Sequence, residues 1–66
     1  MLTKKEIEVL RLKKKGLTQN EIASNLKITQ PAVSNFYTNA VKKIKAAKRI
    51  LDLANKIGVK IEEEEF

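Results

Sequence analysis

Apolar residues in this chain recur every three or four positions, and small or polar residues break that rhythm at three places. Each break reads as a helix start. In Leu2-Thr3-Lys4-Lys5-Glu6-Ile7, Thr3 and Glu6 form a capping box and Leu2 and Ile7 form a hydrophobic staple around it. Leu17-Thr18-Gln19-Asn20-Glu21-Ile22 repeats the device directly after Gly16, a residue suited to ending a helix. Ile28-Thr29-Gln30-Pro31-Ala32-Val33 is a partial copy: Ala32 stands where the box wants an acid, but the capping threonine and the staple remain. Pro31 falls in the first turn, where its missing N–H costs nothing. These starts predict helices near residues 3–15, 18–26 and from 30 onward, and so an all-α fold.

The third helix is the unusual one. No Gly or Pro interrupts Ala32 to Ile57, so it can run unbroken to Gly58, about 42 Å at ~1.5 Å per residue. Alternatively it bends near Lys45–Lys48 into a separate fourth helix. Its apolar stripe is Val33, Phe36, Ala40, Ile44, Ala47, Leu51 and Ala54, a spacing suited to packing on other helices or on a symmetry mate. The first helix has two seams on different faces, Ile7/Leu10 and Val9/Leu12. One serves the core, and the other is left for the C-terminal helix or a second chain. A homodimer is therefore expected, with fully intramolecular packing as the alternative. Residues 1–58 read as one domain and 59–66 as a short acidic tail. Val59 and Ile61 alternate as a short strand would, although the run Glu62–Glu65 favours a frayed, solubilising end.

The span from Gln19 to Thr38 fits the helix-turn-helix pattern, the most specific signal in the chain. Ala23 is the small residue that lets two helices approach closely, and Ile22, Leu26, Ile28, Val33 and Phe36 fix their crossing. The turn position that usually carries Gly holds Lys27, which can adopt the turn conformation at modest cost. A second helix held proud in this way can enter the major groove of DNA.

Composition narrows the field. The chain of 66 residues has no Cys and no His, which removes disulfides and ordinary zinc sites. A domain this small gains support from a partner subunit instead. Its net charge is +6, but four of the eight acids lie in Glu62–Glu65. Residues 1–61 thus set fourteen basic side chains against four acidic ones, a net +10 that attracts polyanions. A lysine-rich soluble surface is the plainer explanation. No histidine or cysteine, no placed carboxylate pair and no Gly-rich phosphate loop supports catalysis, so no enzyme and no cofactor are expected. No signal peptide or membrane-length stretch shows, and a cytoplasmic, nucleoid-associated location is expected.

With Val33 and Phe36 turned inward, the outward stripe of the third helix is Ser34/Asn35, Thr38, Lys42, Lys45 and Arg49. Its first half is uncharged and hydrogen-bonding, its second half basic. Such a division suits a tip that reads bases and later turns that pass phosphates. Gln30, Ser34, Asn35 and Thr38 are the expected base contacts, since Gln and Asn can pair bidentately with adenine. The expected phosphate contacts are Thr18, Gln19, Lys27, Thr29, Lys42 and Lys45. Thr18 and Thr29 are caps first, Asn39 and Lys13–Lys15 read as solvated helix residues, and Tyr37 as packing.

Leu2 to Leu12 and Gly16 to Ala23 resemble the start of LuxR-type DNA-binding domains and the promoter-reading fourth region of sigma factors. The continuation Pro31-Ala32-Val33-Ser34-Asn35-Phe36, with the lysine-rich Ala40 to Leu51, resembles the archaeal Tfx family of transcription regulators over about residues 2–58. Tfx-like proteins usually carry a longer C-terminal part than this sequence has. The resemblance implies a sequence-specific regulator working as a dimer on double-stranded promoter DNA. Apart from it, the lack of a membrane-length stretch and of a ligand-sized second domain leaves no membrane and no small-molecule ligand expected. Two rivals stay open: an adaptor docking on RNA polymerase or another regulator, and a non-specific architectural DNA-binding protein.

Overall fold

The computed structural model describes residues 1–59. The three helices are α1 (Lys4–Lys14), α2 (Gln19–Leu26) and α3 (Gln30–Ile57). Their starts fall where the sequence places them. Thr3, Thr18 and Thr29 are extended N-caps, and each side-chain oxygen accepts the N–H of the residue three further on. The boxes at Thr3/Glu6 and Thr18/Glu21 are both closed by the returning carboxylate. Gly16 and Gly58 take positive φ, at 96° and 93°, and so end the first and last helices without a Cβ penalty.

The core sits where the three helices cross. Val9, Ile22, Ala23 and Val33 are buried together, with Leu12, Leu17, Leu26, Ile28 and Phe36 packed against them. Of the two seams on α1, Val9/Leu12 is thus the one that serves the core, while Ile7 stays exposed. Each residue that the helix-turn-helix pattern assigns to the crossing is in this cluster or against it. The turn between α2 and α3 is closed by Lys27 in the left-handed region (φ 57°, ψ 44°), and the Ile28 N–H reaches back to the Ala23 carbonyl at 3.0 Å.

α3 is one helix of 28 residues, with no break near Lys45–Lys48, and ends in a left-handed Gly58. It is much longer than its partners, so the molecule is elongated at 45 × 21 × 18 Å. Midway along it, Lys43 Nζ donates to Glu6 Oε1 at 2.8 Å and to the Met1 carbonyl at 3.1 Å. Glu6 is buried, and its carboxylate also accepts the Thr3 N–H at 2.7 Å. The ion pair and these amide bonds hold its pKa below the ordinary carboxylate range, with Lys43 as the largest cause. The strand considered at Val59–Ile61 and the acidic run Glu62–Glu65 lie at or beyond the end of the described residues.

Candidate nucleic-acid interface

The candidate interface is built from the first turns of α2 and α3. Pairing of Thr18 with Glu21 fixes the start of α2, and Thr29 fixes that of α3. In both caps the threonine oxygen accepts a backbone N–H, which leaves its own O–H free to donate to an incoming anion. Capping and phosphate contact are therefore compatible at Thr18 and Thr29. The Glu21 carboxylate accepts the Thr18 N–H at 2.9 Å, and this bond is the main reason its pKa lies below the ordinary range.

The two starts are tied to each other by side-chain amides. Gln19 Nε2 donates to the Gln30 carbonyl at 2.8 Å, and Gln30 Nε2 donates to Asn20 Oδ1 at 2.9 Å. Gln19 and Gln30 are thus brought together, although Gln19 contacts the chain of Gln30 and leaves only part of its amide for a phosphate. Asn20 has no place among the residues expected from the sequence. A signal for it exists: the crossing of a helix-turn-helix sets the first turn of one helix beside the first turn of the other, so polar residues at 19, 20 and 30 become neighbours.

Along α3, Ser34, Asn35, Thr38, Lys42, Lys45 and Arg49 are all exposed, while Val33 and Ala40 are buried behind them. The helix carries six cations against Asp52 alone, and one of those cations, Lys43, is engaged by Glu6. Lys45 lies fifteen residues beyond Gln30, about 22 Å along the axis, so it and Lys42 are separate from the amide cluster. Lys27 is exposed in the turn, and none of the described hydrogen bonds joins it to the other expected contacts. A small cleft has Val9, Ile22 and Val33 in its floor and Lys13, Gln19, Ser34 and Tyr37 around it. Lys13 Nζ stands 5.8 Å from the centre of the Tyr37 ring, a cation–π distance. Tyr37 is 39 % exposed, so it packs on one side only. Lys13 is thereby drawn beside Tyr37 and Ser34 of α3, rather than standing clear as a solvated helix end.

Among the described residues no cluster of acids could hold a metal ion, and no helix is long and apolar enough to cross a membrane. A short helix pinned across the foot of a longer one, with the longer one's first turns proud and polar, defines a helix-turn-helix DNA-binding domain. Residues 1–55 match the family of bacterial regulatory proteins of the luxR type, and the chain belongs to that family. It is a family of transcription regulators rather than of enzymes. The chain is also similar to archaeal proteins named as candidate transcriptional regulatory proteins. One from Pyrococcus horikoshii is 45 % identical over 60 residues, covering 91 % of this chain and 42 % of that protein. Another from Methanocaldococcus jannaschii is 39 % identical over 66 residues, covering 94 % of this chain and 48 % of that protein. The chain spans under half the length of these curated relatives. Both findings agree with the resemblance to LuxR-type domains and to archaeal Tfx-like regulators. No solved structure matches the chain.

Proposed function

We propose that this domain binds double-stranded DNA at preferred sequences by laying the first turns of α3 in the major groove. Gln30, Ser34, Asn35 and Thr38 meet base edges. Thr18, Gln19, Lys27, Thr29, Lys42 and Lys45 grip phosphates on either side. The observation that carries this reading is the division of the exposed face of α3, uncharged and hydrogen-bonding from Gln30 to Thr38 and cationic from Lys42 to Arg49. An architectural binder needs only the second half. Residues 1–58 act as the binding unit.

The domain works as a homodimer. Beyond Ala40 the apolar stripe of α3 continues as Ile44, Ala47, Leu51 and Ala54; among the described residues Ile44, Ala47 and Leu51 stand exposed, and Ile50 and Ile57 widen the patch. Upstream the same face is covered by α1 and α2, which leaves residues 44–57 for a mate. A mate packed along residues 44–57 sets the two reading helices about a two-fold axis. The exposed stripe equally suits a contact with RNA polymerase or another regulator, and this is the second reading.

Selection of bound duplexes from a random pool, at two salt concentrations, tests both. An enriched inverted repeat that persists at the higher salt is the expected result. Enrichment that disappears with salt, together with a single-chain mass in sedimentation, would overturn the reading in favour of the adaptor or the backbone binder.

A further inference from the structure

We propose that Asn20 is a positioning residue for sequence reading: its side-chain oxygen fixes which edge of the Gln30 carboxamide faces the duplex. The proposal rests on Gln30 being a base reader. A carboxamide has one two-point edge, made of its oxygen and the N–H on the same side, and that edge matches N6–H and N7 of adenine. Its other N–H points away from the edge. A neighbour that takes this far N–H holds the amide without blocking the pairing edge. A half-turn of the amide would exchange donor and acceptor, and the match would be lost.

Asn20 supplies what that task needs. Its Oδ1 lies 2.9 Å from Gln30 Nε2, and an acceptor there can be satisfied only by the nitrogen side of the Gln30 amide. With Asn20 Oδ1 so placed, the flipped Gln30 amide would set oxygen against oxygen, and only a matching half-turn of Asn20 would relieve it. The backbone of Asn20 is fixed, since it is the second residue of α2 and lies between Thr18 and Glu21 of the capping box. Its neighbour Gln19 grips the Gln30 carbonyl at 2.8 Å, so α2 holds the reader at two points, backbone and side chain. All three residues are exposed, and in water such bonds are weak. They strengthen when a duplex covers them and excludes water. The effect of Asn20 therefore belongs to the bound state and to base preference rather than to folding.

The test uses the duplex most enriched in selection, together with its single-base-pair variants, in competition anisotropy against wild type, Q30A, N20A and N20D. Q30A should erase preference at one base pair. N20A should cut preference at that same base pair by about three- to tenfold, leaving affinity for a scrambled duplex within about twofold. N20D keeps the acceptor, so it should keep that preference while its charge weakens binding to every duplex alike. Melting of N20A should match wild type. If N20A discriminates fully at the base pair that Q30A erases, the role of Asn20 falls and the reading of Gln30 stands. If Q30A leaves discrimination intact at every position, the reading of Gln30 falls and takes this proposal with it.

Discussion

The two halves of α3 share one backbone and one apolar stripe, yet they live in different surroundings. In the first half the stripe is covered, with Val33 at 3 % and Ala40 at 0 % exposure. In the second half the same face stands open, with Ile44 at 47 % and Leu51 at 48 %. The outward faces differ as well, hydrogen-bonding amides and hydroxyls in one half and ammonium groups in the other. Burial in the first half serves the fold, and its outward face is the one proposed to read bases. The second half contributes little to this core, so its apolar residues call for a mate and its cations for a polyanion.

The sharpest break in that comparison is a charge placed in each half. V33D puts a carboxylate among the buried apolar side chains of Val9, Ile22 and Ala23, where an ionised group is costly. A domain of this size has about 3–5 kcal/mol in hand, so V33D should be unfolded at room temperature by circular dichroism. L51D should stay helical and melt near wild type at high dilution, yet sediment as a single chain. A folded V33D, or an unfolded L51D monomer, would show that the halves are not divided as described.

Reading and gripping separate next. N35A should cost about 1–3 kcal/mol at one base pair and little elsewhere. K42A should weaken every duplex alike and reduce the slope of log affinity against log salt by about 0.9. Titrations of both variants at four salt concentrations decide it. The reverse pattern, with K42A altering preference, would mean that the helix sits one turn deeper in the groove.

Much of this division is legible in the sequence because its determinants are local. Thr3/Glu6 and Thr18/Glu21 act over three residues, and the crossing residues from Ile22 to Phe36 keep fixed intervals, so spacing alone reveals them. The bonds that join distant segments are not legible in that way. Glu6 serves a capping box in the sequence, and only the fold brings Lys43 to it across 37 positions. A hint existed, for Lys43 follows Ala40 by three and precedes Ala47 by four, a lysine on the apolar seam that needs an anion. The unbroken course of α3 was likewise permitted rather than dictated, since lacking Gly and Pro allows a helix but does not require one.

The Glu6–Lys43 pair stands at the boundary of the two halves and gives it a pH dependence. The carboxyl is held below its ordinary pKa in the folded state, so its contribution is complete above the unfolded value of about 4.3 and is lost as the pH falls through the lowered one. Melting temperature should therefore drop on acidification below about pH 4, and more gently in E6Q, which has no charge there to lose. An equal acid response in E6Q and wild type would assign the effect to other carboxylates.

The smallest effect is expected at the turn before α3, where Lys27 combines a strained backbone with an exposed charge proposed to grip phosphate. A left-handed residue other than glycine costs about 1–2 kcal/mol, and glycine returns part of that through its greater freedom in the unfolded chain. K27G should thus stabilise the domain by about 0.5–1 kcal/mol. K27A keeps the strain, and so should melt close to wild type and below K27G. Both variants lack the ammonium, and both should bind all duplexes more weakly with a shallower salt slope. Stability and binding would then move in opposite directions in K27G, because the position is strained for the fold and charged for the ligand. Wild-type affinity in K27G would remove Lys27 from the phosphate contacts and leave the grip to Lys42 and Lys45, on the far side of the reading turns.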